Sequence, residues 1–288
     1  MKLYPIQCGK FKLDGGAMFG VVPKSLWERT NPADSKNLIE LGTRSLLVED
    51  GKKLILIDCG LGNKQDEKFF GHYSLYGDES LDKNLKKFGF VREDITDVFL
   101  THLHFDHCGG AIEWNDDKTG YRPAFKNAQF WTNENHWQWA TEPNPREKAS
   151  FLKENILPMQ ESGQLQFLPT PKTGNYGFAP DLKMDVIFVD GHTEKQMLPV
   201  IQYQEKTIVF AADLIPTAGH IPQVYVMGYD TRPLLTMEEK GKFLKQCVEN
   251  EYLLFFEHDA HHELASLKMT EKGVKLDETF SFNEVFGY

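Results

Sequence analysis

Val98-Phe99-Leu100-Thr101-His102-Leu103-His104-Phe105-Asp106-His107 reads as a short apolar strand emptying into a loop that carries four potential metal ligands in six positions. A strand cannot aim all four at one point, because alternation sends neighbouring side chains to opposite faces. A loop leaving the strand end can. Imidazole with carboxylate is the donor set of zinc, and also of iron and manganese. A solvated polar turn is the plainer alternative, but ligand-capable residues at four of the seven positions from Thr101 to His107 argue against it. The stretch is therefore read as a metal site.

Working outward, other ligand-capable residues also fall just past apolar runs. Val186–Val189 leads to Asp190-Gly191-His192, Thr207–Ala211 leads to Asp213, and Tyr252–Phe256 leads to Glu257-His258. Strands ending at one sheet edge would gather seven ligands: His102, His104, Asp106, His107, His192, Asp213 and His258. Isolated core histidines would show no preference for strand ends. Ser45–Val48 and Leu54–Ile57, joined by Glu49-Asp50-Gly51-Lys52-Lys53, predict a hairpin. Leu81, Leu85 and Phe88 before Gly89 predict a helix and its stop. Residues 133–161 predict two helices around a loop broken by Pro143 and Pro145. Thr236-Met237-Glu238-Glu239 has the form of a capping box opening a helix with Phe243, Leu244, Cys247 and Val248. Strands alternating with helices in both halves predict an α/β core.

Composition narrows the partners. An apolar fraction of 41% over 288 residues supports a substantial core. A net charge of −10 disfavours a nucleic-acid partner, which needs basic surface. No run approaches the roughly 20 apolar residues of a membrane span, and Met1–Pro5 lacks the apolar core of a signal peptide. Cys8, Cys59, Cys108 and Cys247 form no C-x-x-C pair and suggest reduced thiols. A cytoplasmic chain forming a single domain over 1–288 is expected, without membrane or nucleic-acid partners, and a homodimer stays open. Neither a Gly-x-Ser-x-Gly elbow nor a phosphate-binding Gly-Lys loop occurs.

With these residues in place, the chain resembles the metallo-β-lactamase superfamily. His-x-His-x-Asp-His stands at 102–107, Gly-His-Thr at 191–193, a strand-end aspartate at 213 and a terminal histidine at 258. The resemblance implies a four-layer αββα sandwich holding two divalent ions, zinc first, with iron, manganese or cobalt as alternatives. It implies that His102, His104 and His192 bind one ion, that Asp106, His107 and His258 bind the other, and that Asp213 bridges them. Within the superfamily the chain is most similar to N-acyl-homoserine lactone lactonases and related organophosphate hydrolases. Opening of a lactone by a hydroxide shared between the ions is implied, with Asp106 as proton carrier. Phosphotriester, other ester or thioester hydrolysis is the alternative. The C-terminal Leu264–Tyr288, with three lysines and four acidic residues, does not resemble the basic glutathione-binding end of glyoxalase II-like enzymes.

Two positions depart from the lactonase pattern. Pro216 stands where some lactonases carry a substrate-contacting tyrosine, which makes His220 and Tyr225 candidate replacements. Gly-His-Thr continues as Glu194-Lys195-Gln196 rather than Pro-Gly-His. Asp58 and Asp190 are read as supports for neighbouring ligands, and Cys108 is rejected as a ligand. His72, His136, His261 and His262 are given surface or core roles. Met18, Phe19, Trp27, Trp137, Trp139 and Phe151 are candidate pocket walls, each more simply explained as core.

Overall fold

The computed structural model describes residues 1–172 and 176–287; Tyr288, in the C-terminal segment read above, lies outside that range. The chain divides into two compact units, Met1–Lys10 with Thr43–Lys183, and Phe11–Gly42 with Met184–Tyr288. Eight strands come first in the chain: β1 (Lys2–Asp14), β2 (Leu38–Asp50), β3 (Lys53–Ile57), β4 (Asp97–Phe99), β5 (Ile112–Trp114), β6 (Tyr121–Pro123), β7 (Gln129–Asn133) and β8 (Leu165–Leu168). The sheet of the first unit runs in the order β1-β2-β3-β4-β7-β8, while β5 and β6 pair apart from it. The predicted hairpin is β2–β3, with Leu46 opposite Ile57, and its strands reach far enough to leave only Gly51-Lys52 as the turn.

From β3 onward the first sheet is parallel: Leu56 pairs with Val98, Val98 with Phe130, and Phe130 with Leu165. Buried parallel strands read as unbroken apolar runs, as Leu54–Ile57 and Val98–Leu100 do. Parallel strands also share one carboxyl edge. The residues after β3, β4 and β7 therefore leave from that edge, carrying Asp58, the histidine loop and His136. Helices Leu81–Lys87, Glu134–Thr141 and Lys153–Glu161 form where the apolar spacing predicts them, and Gly89 stands past the first with φ +84°. The core of this unit includes Leu56, Leu85, Val98, Phe130, Ile156 and Met159.

The strand β9 (Tyr176–Ala179) closes the first unit's list. In the second unit, β10 (Met184–Val189), β11 (Gln196–Tyr203), β12 (Lys206–Phe210), β13 (Leu253–Phe255), β14 (Leu264–Thr270) and β15 (Gly273–Phe280) follow one another across a sheet. The pairs β10–β11 and β11–β12 are antiparallel and β12–β13 is parallel. Two reversals restore direction, so β10, β12 and β13 all end at one edge, the edge that carries His192, Asp213 and His258. Phe210 stacks on Phe255 at 5.3 Å in the core of this unit.

The capping-box expectation fails. The long helix is Pro233–Glu249, with proline in its first turn, so Thr236 and Glu239 lie inside it. Thr236 Oγ1 donates back to the Arg232 carbonyl at 3.3 Å. Glu239, buried, accepts the Asp190 and Gly191 amides at 2.8 and 2.9 Å. The Thr-x-x-Glu spacing belongs to this helix but not to its start, because proline at the first helical position sets the boundary. Among the described residues no helix is long and apolar enough to cross a membrane.

Candidate metal centre

The first unit brings His102, His104, Asp106 and His107 into one cluster. His102 Nε2 and His104 Nδ1 face each other at 3.0 Å, and His107 Nε2 lies 3.9 Å from Asp106 Oδ1. The second nitrogen of each ring is turned to a fixed partner. His102 Nδ1 is 3.1 Å from Thr101 Oγ1, His107 Nδ1 is 3.0 Å from Asp58 Oδ2, and His104 Nε2 is 3.4 Å from Glu147 Oε1. Asp58 also accepts the Thr101 amide at 2.8 Å and the Thr101 hydroxyl at 2.6 Å. One carboxylate thus serves both His102, through Thr101, and His107. Asp58 reaches this position with φ +55°, a left-handed backbone that costs a non-glycine residue energy and is found where a site fixes a side chain.

Backbone contacts hold the same loop. Leu103 donates its amide to His136 Nε2 at 2.8 Å, so His136 braces the loop, consistent with a core-satisfying role. Gly109 follows the motif where a Cβ would come within 2.1 Å of the Leu61 carbonyl oxygen, so only glycine permits that approach. Cys108 donates its thiol to the Leu103 carbonyl, and burial pushes that thiol up to about 12. Its thiol is thus turned to the backbone of its own loop, in line with its rejection as a ligand on sequence grounds.

The second unit brings His192, Asp213 and His258 together. Asp213 presents one oxygen to each histidine: Oδ2 to His192 Nε2 at 3.1 Å and Oδ1 to His258 Nε2 at 3.1 Å. The far nitrogens are again held, His192 Nδ1 by Asp230 Oδ1 at 2.9 Å and His258 Nδ1 by the Gly42 carbonyl at 2.9 Å. Burial alone would push the His192 imidazole down. The Asp213 and Asp230 carboxylates outweigh it and raise His192 to about 10. Two carboxylates on one buried ring are a cation's surroundings. Ala212, at φ +40°, turns the chain so that Asp213 leaves the end of β12.

Sequence reasoning found Asp58 but missed Glu147 and Asp230, which lie 43 and 38 positions from the histidines they orient. Asp190, expected to support His192, instead accepts the Lys195 amide and ammonium at 2.9 and 2.7 Å and closes the loop. His220 is also corrected. It is buried between Thr217 Oγ1 at 2.8 Å and the Met18 carbonyl at 2.9 Å and stacked 4.1 Å from Phe19. Burial lowers it to about 3, so it is a neutral scaffold residue without a nitrogen to offer substrate. Tyr225 is half-buried, edge-on to Phe19 at 6.2 Å. Met18, Phe19 and Trp27 are core, and Phe151 packs 4.7 Å from the His104 ring. Trp137 is buried, and the half-buried Trp139 donates its indole N–H to Glu147 at 2.6 Å.

The seven residues are buried, none more than 9% exposed, and each histidine has one oriented nitrogen and one facing other donors. That is how metal-binding imidazoles are held, because a fixed far nitrogen sets tautomer and ring direction. A sequence model of the metallo-beta-lactamase superfamily matches residues 38–245. The chain belongs to the metallo-β-lactamase superfamily. Its His/Asp clusters are suited to metal ions. An N-acyl homoserine lactonase of Bacillus cereus is 22% identical over 275 residues, covering 91% of this chain and 94% of that protein. A probable metal-dependent hydrolase from Staphylococcus aureus has the same fold, with a TM-score of 0.85, 27% identity, and coverage of 97% and 96% of the two chains. The dizinc quorum-quenching lactonase AidC superposes with a TM-score of 0.76 at 22% identity, covering 97% of this metallo-β-lactamase-fold chain and 95% of its own.

Proposed function

We propose that the protein is a dinuclear metal-dependent lactonase, opening lactones such as N-acyl-homoserine lactones, with both units acting as one hydrolase domain over 1–288. His102, His104 and His192 would hold one ion, Asp106, His107 and His258 the other, and Asp213 both. Zinc suits this donor set best. Bound there, two divalent ions would supply Lewis acidity and an acidified water at neutral pH.

The chain's own residues then have distinct tasks. Asp58, Glu147, Asp230 and the Gly42 carbonyl fix the ligand rings, so little reorganisation accompanies the reaction. Asp106, nearly buried, would take the proton from the attacking water at its carboxylate and return it to the departing alkoxide oxygen. Ring opening leaves a hydroxyl and a carboxylate on one product molecule. With His220 committed to the scaffold and proline at 216, Tyr225 remains a candidate phenol for orienting a substrate carbonyl.

The observation that carries this reading is the paired setting of the five histidines, each with one anchored ring nitrogen, on a chain whose relatives include proteins named as lactonases. Proton release at constant pH tests it, using zinc-loaded protein, short- and long-chain acyl-homoserine lactones and a phosphotriester. Lactone opening that vanishes in Asp213→Ala is expected. Turnover of the triester alone would move the protein to phosphotriester hydrolysis. Silence on both from fully loaded protein would discard lactones as the substrate class.

A further inference from the structure

Outside the ligand clusters, the first unit contains an open cleft of about 530 Å³ whose one fully buried lining residue is Lys64. Phe69, Trp114 and Tyr121 wall it, and Asp66, Lys68 and Glu154 stand at its rim. Trp114 lies 4.4 Å from Tyr121, and its indole N–H donates to the Lys64 carbonyl at 2.9 Å, which fixes the indole beside the lysine. Lys64 is only 5% exposed. Its ammonium has three donors, yet its one hydrogen bond among the described residues goes to the Gly109 carbonyl. Among the described residues no carboxylate pairs with it. Glu154, at the rim of the same cleft, is a Coulombic neighbour that favours the charged form of Lys64, but among the described residues it forms no ion pair with it.

Burying an ammonium carries a desolvation cost, and one with unused donors beside an open cleft is suited to receive an anion. Burial lowers Lys64 to about 8, which is the sign of that cost. The aromatic walls favour a flat apolar body. The rim carboxylates of Asp66 and Glu154 oppose a polyanion. We propose that this cleft is a second ligand site, taking a small aromatic monocarboxylate with its carboxylate on Lys64 Nζ and its ring against Trp114 and Tyr121. The site does not depend on the lactonase reading. Because Lys64 holds the carbonyl of Gly109, two residues beyond His107, an occupant also touches the support of the histidine loop.

Calorimetric titration of the full-length, zinc-loaded protein with phenylacetate tests this, with phenylacetamide as the neutral isostere. Phenylacetate should bind, and phenylacetamide at least about tenfold more weakly, since a charge-assisted hydrogen bond is lost. Lys64→Met should abolish the heat. Tyr121→Ala, a substitution on the exposed face of the β5–β6 hairpin, should weaken binding several-fold and decides the matter should the lysine variant fail to fold. Asp213→Ala should leave binding unchanged. Equal affinity for acid and amide would overturn the proposal. So would binding lost in Asp213→Ala but intact in Lys64→Met, which would place the carboxylate at the metal ligands.

Discussion

The two ligand clusters are built in opposite ways. In the first unit four candidate ligands come from one six-residue stretch, and their partners Asp58, His136 and Glu147 arrive from other elements to orient them. In the second unit three candidate ligands come from three strand ends spread over 67 residues, and Asp213 itself is the piece that joins them. Here the long helix Pro233–Glu249 contributes through Glu239, which ties down the amides ahead of His192. A contiguous motif needs help with direction, because the loop has already set the distances. A dispersed one needs the sheet to set distance and a shared carboxylate to complete it.

The largest effect should come from that shared carboxylate. Asp213→Ala is expected to abolish turnover and lower the zinc content per chain, measured by elemental analysis beside the proton-release assay. Retained stoichiometry would mean that the dispersed cluster does not depend on its joining residue. Next come the orienting carboxylates. Asp58→Ala and Asp230→Ala should each weaken zinc binding by about 10–100-fold in competition with a chelator. Asp58 should lie at the upper end, because it serves two histidines and Asp230 serves one. The reverse order would break the comparison.

A third test uses pH. His220 is held near 3, below its ordinary 6.5, so the unfolded chain binds the extra proton between those values and acid favours unfolding. Its stabilising contribution is complete above 6.5 and is lost as pH falls toward 3. Between pH 6.5 and 4 the loss should be on the order of 3 kcal/mol, and metal-free His220→Gln should show a correspondingly flatter melting profile. An unchanged profile would remove His220 from the scaffold of the second unit. The smallest effect is expected from Glu239→Gln. One of two backbone amides loses its acceptor, costing roughly 1–3 kcal/mol in denaturant unfolding. No change would show that the His192 loop holds its shape without the helix.

Much of this was legible in the sequence. The hairpin of β2 and β3, the helix stopped near Gly89 and the strand ends bearing His192, Asp213 and His258 follow from short-range periodicity and turn chemistry. The capping box misled because Thr-x-x-Glu is also an ordinary helix-interior spacing, and Pro233 was the stronger boundary signal. The roles of His220 and Asp190 were misjudged for another reason. A polar residue near a motif declares its chemistry but not its direction.

Sequence alone therefore determined which residues have the chemistry of a metal-dependent hydrolase and which strand ends deliver them, because strand period and ligand type are local properties. The tertiary structure decided which nitrogen of each ring is anchored and which carboxylate does the anchoring. It also decided that Lys64 is buried beside an open cleft with its ammonium on the Gly109 carbonyl. Those facts depend on strands and helices far apart in the chain being packed together, and no local pattern encodes the partner of a side chain 40 residues away.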